Sequence, residues 1–244
     1  MYFGDKKSEN SRSALSHLKA IRYWHRPCGG LVEVIKKMKE RGVFDPTLLD
    51  KAHMELYIGS LLGIALQESE GIDFWIGKPN EDPPDMAFMT IVSDENNRIF
   101  FHSREVEITR CLSQDNDIIG TVLKKDKFYP GDYIIVCFLE FTGAEDIKMI
   151  SNKLIAKLKN IQHVFLVFHG MPFADLKESI MSEEVRRKVT VAQVSPVFSS
   201  QVIDIVDSLE KWKLDDKRLI YTDKAKVYYG LRDGDKVFPK IITN

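Results

Sequence analysis

Several sequence features are scarce or missing in this chain of 244 residues, and each absence removes a class of protein. There are three cysteines, Cys28, Cys111 and Cys137, an odd number at wide spacing. They supply neither the even count of a disulfide framework nor the paired spacing of a zinc site, so they read as free thiols. No apolar run approaches the roughly 20 residues that cross a bilayer. The first residues, MYFGDKKSENSRS, are polar where a signal peptide is greasy. A cytoplasmic protein with no membrane partner is the expectation. Neither a Walker-type phosphate loop nor a Gly-x-Ser-x-Gly elbow occurs, which removes the sequence grounds for an NTPase or an esterase. The six histidines, His169 at the end of an apolar run included, show no metal-ligand spacing and read as structural.

Net charge is nearly absent too, at −1, but its distribution is uneven. Residues 1–41 hold ten Lys or Arg against four Asp or Glu, an excess of +6, while residues 66–107 hold ten acids against three bases, or −7. A basic flank beside an acidic centre suits an enzyme in which carboxylates hold a metal ion and basic side chains hold a polyanion. Two solvated faces give the same pattern.

What is present is an ordinary globular composition, 44% hydrophobic and 29% charged, in a chain long enough for one substantial core. Helical periodicity predicts a stretch over 13–41, broken at Pro27-Cys28-Gly29-Gly30, and a second helix over 48–70. In the second, Leu56, Leu62, Ile64 and Leu66 interleave with Gly59, Ser60, Gly63 and Ala65, a composition suited to close packing on a sheet. Strand signals follow at 72–76, 86–92, 99–109 and 133–141, with Asp94-Glu95-Asn96-Asn97 as a hairpin loop between the second and third. A helix over 144–158 leads to the buried strand HVFLVF. Beyond it a strand is expected at 188–194, an amphipathic helix at 199–212, and short strands at 219–221 and 226–229 before a turn at Asp233-Gly234-Asp235. The class is therefore α/β with a mixed central sheet flanked by helices. The expected divisions are a basic N-terminal helical extension (1–45), an α/β core (46–170) and a C-terminal extension of the same domain (171–244).

The chemistry concentrates in KPNEDPPDM and REVEITR. Two prolines fix the backbone ahead of Asp85, so its carboxylate enters the sheet at a defined place. Glu105, Glu107 and Thr109 alternate along one strand and share a face, with Val106 and Ile108 turned to the core. Three polar groups in a row are costly to bury without partners or a cation. If the strand after Asp85 pairs antiparallel with this one, the carboxylates converge within reach of Mg²⁺, a hard ion that prefers oxygen.

These residues resemble the PD-(D/E)xK nuclease superfamily of restriction-endonuclease-like folds over roughly residues 48–168. Pro84-Asp85 matches its Pro-Asp element, Glu105-Val106-Glu107 its acidic strand, and Glu55 on the second helix its helical glutamate. Glu107 stands where the family usually carries lysine. In another register Glu107 becomes the acidic ligand and Thr109 replaces the lysine. The resemblance implies Mg²⁺-dependent phosphodiester hydrolysis of nucleic acid, DNA first, with Mn²⁺ as a substitute ion and a role in restriction or defence. It implies Asp85, Glu105 and the Val106 carbonyl as metal ligands, Glu107 as a general base or second-metal ligand, and Glu55 as a further catalytic residue. Lys78 reads as a phosphate contact or a solvated surface lysine, and cleavage of both strands of a duplex favours a homodimer. The other reading is a silent nuclease-like domain serving as a binding or assembly subunit.

Overall fold

The computed structural model describes residues 23–43, 45–71, 74–79, 84–93, 99–112, 117–129, 133–140, 147–169, 188–211, 217–222, 226–231 and 237–238. The chain divides into two compact units, residues 1–103 with 212–244, and residues 104–211. Both mix helices with a sheet, so the class is α/β.

In the first unit, β1 (Tyr23–His25), β2 (Phe74–Gly77), β3 (Met86–Ser93), β9 (Lys217–Thr222), β10 (Lys226–Leu231) and β11 (Val237–Phe238) pair in the order β11-β10-β9-β1-β2-β3. All these pairings are antiparallel. Helices α1 (Pro27–Arg41) and α2 (Lys51–Glu70) pack on each other and on β2. Pro27 does not break a longer helix; it opens α1 at a position where its missing N–H is not needed. The part of the expected helix before Tyr23 lies outside the described residues. Asp50 caps α2 by accepting from the His53 N–H at 3.1 Å, and Gly71, at φ 66°, ends it in the left-handed region. Leu31, Val34, Ile58, Leu61, Leu62, Ile64, Phe74 and Ile76 are almost fully buried.

The second unit contains the greater part of β4 (Ile99–Cys111), whose first residues belong to the first unit, then α3 (Ile118–Asp126), β5 (Ile134–Leu139), α4 (Ile147–Ile155), β6 (His163–His169), β7 (Lys188–Ser195), β8 (Ser199–Asp204) and α5 (Ile205–Lys211). Strands β4, β5 and β6 are parallel neighbours, and β7 and β8 continue antiparallel, which makes this sheet mixed. The sequence reading expected a meander into β5. Helix α3 intervenes instead, and a parallel pair requires such a crossover. β5 is buried along its whole length, as its continuous apolar run implied. Ile118, Val122, Ile150 and Leu154 of the helices meet Ile135, Cys137, Val164 and Leu166 of the sheet in one cluster.

A second correction concerns residues 199–212. Their first half is strand β8, paired with β7 from Lys188↔Asp204 to Gln193↔Ser199. Only the second half is helical. Asp204 makes the change by accepting from the Val206 and Asp207 N–H groups at 3.0 and 3.2 Å. The loop at 94–97, Arg186-Arg187, Trp212 and the turn at 233–235 lie outside the described residues. All three cysteines are free and buried. Among the described residues no helix is long and apolar enough to cross a membrane.

Candidate functional site

The first unit brings two of the expected site residues together. Glycine at 59 lets α2 approach β3 closely, because a Cβ there would stand 2.3 Å from the Met86 sulfur. Glu55 lies one helical turn before Gly59, and Asp85 immediately precedes Met86. The close approach therefore sets the two carboxylates side by side. Both are buried, Glu55 at 1% and Asp85 at 4% exposure.

Two lysines neutralise the pair. Lys51 Nζ stands 3.3 Å from Glu55 Oε1 and 3.2 Å from Asp85 Oδ1, bridging the carboxylates from the first turn of α2. Lys78, expected as a phosphate contact or a surface lysine, donates to Glu55 Oε2 at 2.6 Å. Burial pushes the Glu55 carboxyl above its ordinary range; the Lys78 ammonium pulls it back, and a hydrogen bond shared with Asp85 pushes it up again. Glu55 Oε1 is buried with an ion pair but no hydrogen bond. This is a compact, buried carboxylate pair held by cationic groups.

The second unit holds the acidic strand. Val106 is fully buried, while Glu105, Glu107 and Thr109 are half-buried, as the alternation predicted; Ile108 is also only half-buried. Partners that the sequence did not reveal meet the acids in part. Lys125, on α3, donates to Glu107 Oε1 at 2.7 Å, and the Tyr133 hydroxyl is hydrogen-bonded to Glu105. Burial first, then the carboxylates of Glu105 and Glu107, hold the Tyr133 hydroxyl well above its usual range, so it remains a donor. Glu107 Oε2 and Thr109 Oγ1 are buried without a hydrogen-bond partner among the described residues. Arg110 is drawn away from this face by an ion pair with Glu140.

The expected convergence of Asp85 with Glu105 joins residues of different units. Among the described residues no group of three or more His, Cys, Asp or Glu side chains is gathered to hold a metal. The functional residues that sequence reasoning missed are Lys51, Lys125 and Tyr133. Lys51 and Glu55 carried a signal in their i,i+4 spacing. Lys125 carried none, because α3 itself was not expected, and Tyr133 opens an expected strand whose contact with Glu105 depends on tertiary pairing.

Neither a scan of family models nor a search of curated proteins matches this chain. The functional reading rests on these two acidic pairs and their lysines.

Proposed function

We propose that the chain is a metal-dependent nuclease that hydrolyses phosphodiester bonds, with DNA as the first substrate and a restriction-endonuclease-like core as its scaffold. The observation that carries this is the buried Glu55–Asp85 pair, set at a helix and at a strand entry and compensated by Lys51 and Lys78. The donor set fits Mg²⁺ or Mn²⁺, since a hard ion takes one or two protein carboxylates and completes its shell with water and substrate phosphate. A bound ion supplies Lewis-acid polarisation of a phosphate and a water of lowered pKa.

The chain's own residues do the rest. Asp85, fixed by Pro84, and Glu55, fixed by the Gly59 contact, hold the charge in place. Lys51 and Lys78 have side chains 62% and 46% exposed, which gives them room to turn from carboxylate to phosphate. Glu105, Val106 and Glu107 form the strand half of the resemblance. Lys125 brings to Glu107 the positive charge that the Glu-x-Glu pattern lacks.

The test is incubation of the purified chain with linear DNA, circular DNA and RNA in Mg²⁺ or Mn²⁺, beside EDTA, Asp85→Ala, Glu105→Gln and Glu107→Gln. Metal-dependent cleavage that disappears in all three variants supports the reading. Absence of both cleavage and Asp85-dependent metal binding removes it. One observation favours a second reading, a silent nuclease-like binding subunit: Lys51 bridges both carboxylates and can stand permanently in place of the ion. Nucleic-acid binding without turnover or metal uptake selects it.

A further inference from the structure

The end of α3 is tied to the segment that follows α4 in the second unit, and one carboxylate ties it. Asp126, the last residue of α3, is 4% exposed and accepts from the backbone N–H groups of Lys159, Asn160 and Ile161 at 3.1, 2.9 and 2.7 Å. The Asn160 amide returns a hydrogen bond to the Asp126 carbonyl at 2.6 Å. This clasp joins the end of α3, which carries Lys124 and Lys127, to the segment after α4 that carries Lys157 and Lys159. All four side chains are exposed, and none has an ion-pair partner among the described residues.

Helix ends attract lysines for structural reasons, so the excess has to be weighed. Each helix C-terminus carries the equivalent of about half a negative charge, and the clasp carboxylate carries one. Four ammonium groups exceed these by about two positive charges. No acidic residue occurs from Ile147 to Ile161 to offset them. Phe128 is 74% exposed in the same segment, next in sequence to Lys127. Exposed lysines with an exposed aromatic ring in the same segment fit a flexible polyanion whose units carry both a phosphate and a stacking face. An anionic bilayer fits less well, because Ile150 and Leu154 of α4 are spent on the core and the exposed Met149 and Ile155, six residues apart, stand about 120° from each other around the helix and form no continuous apolar stripe.

We propose that the clasped end of α3 and the segment after α4 bind the backbone of a single nucleic-acid strand, with Lys124, Lys127, Lys157 and Lys159 on phosphates and Phe128 stacked on a base. The proposal adds a strand-holding surface to the nuclease reading and takes its substrate class from it. The clasp carboxylate positions the lysines and does not touch the strand.

Binding is measured with the full chain in EDTA, where turnover is off, by fluorescence anisotropy of a labelled DNA strand across a salt series. Replacing all four lysines by alanine is expected to weaken binding tenfold or more and to lower the slope of log K against log salt by about 3, at roughly 0.7 per phosphate contact. The four-arginine variant is expected to restore both, and unchanged thermal melting shows that the alanine variant folds. Phe128→Ala is expected to weaken strand binding several-fold and duplex binding less. An unchanged affinity and salt slope in the alanine variant overturns the proposal. So does a wild-type chain that ignores nucleic acid and binds phosphatidylserine vesicles. Lysine-dependent binding in a protein that never cleaves would keep this surface while removing the nuclease reading.

Discussion

The Lys125 ammonium on α3 donates to the Glu107 carboxylate on β4 across 2.7 Å, with side chains only 21% and 12% exposed. A pair this sheltered depends on both partners. Lys125→Met is expected to lower stability by about 2 kcal/mol, because it leaves a largely buried carboxylate without its cation. Glu107→Gln in the same background should recover about half of that. Urea unfolding of the double-mutant cycle measures the coupling, and a coupling under about 0.5 kcal/mol would place the pair among solvent-screened ones.

Under the proposed reading, the raised Glu55 carboxyl sets the pH dependence of cation uptake. Burial and the neighbouring Asp85 hold Glu55 protonated above the ordinary glutamate range. A metal needs the ionised form, so Mg²⁺ affinity by calorimetry should climb as pH rises through that elevated value, with protons released on binding. Asp85→Asn removes the neighbouring anion and should move the climb to lower pH while weakening affinity. A flat profile between about pH 5 and 8 contradicts this account.

Asp126 should be among the costliest surface-layer residues to remove. Burial pushes its carboxyl up, but the N–H groups of Ile161, Asn160 and Lys159 outweigh that and hold it below the usual aspartate range. A depressed carboxylate stabilises the fold above its unfolded pKa, and this contribution is lost as pH falls through the folded one. Asp126→Ala is expected to cost about 2–4 kcal/mol by stranding backbone donors, with Asp126→Asn intermediate. Melting curves at descending pH should show the wild type alone losing this increment.

His163 acts in the same direction, from a different cause. It is 7% exposed, and burial, reinforced by Arg104, lowers its pKa from 6.5 to about 4. The unfolded chain takes up the proton below about pH 6.5 while the folded chain refuses it. Stability should therefore fall on the order of 2 kcal/mol between pH 6.5 and 4 and level off below. His163→Gln should remove this slope from the urea midpoint.

The sequence showed the elements whose signals are local and strong. Helix α2, the apolar strands β5 and β6, and the placement of Asp85 at a strand entry followed from periodicity and Pro84. Glu55 was legible as a helical acid, but its contact with Asp85 depends on how closely α2 approaches Met86, which only Gly59 hinted at. Helix α3 was missed although Asp117 caps it, accepting from the Gly120 N–H at 2.8 Å, and Ile118, Ile119, Val122 and Leu123 have helical spacing. Its short apolar face lay hidden between two strong strand signals. Residues 199–204 were misread because hydrophobic spacing alone does not separate a short strand from a helix; pairing with β7 decided it. Lys125 and Tyr133 reach their carboxylates through tertiary packing that no local pattern encodes.

Lys51 gives the Glu55–Asp85 pair a resident rival. A side-chain ammonium on a short flexible stem is present at its own target at an effective concentration on the order of millimolar, whatever the surrounding solution contains. Any ion that seeks the two carboxylates has to win against that tethered competitor. Under the proposed reading the uptake curve keeps its form while its midpoint moves to higher metal concentration, and the length of one lysine stem sets how far it moves.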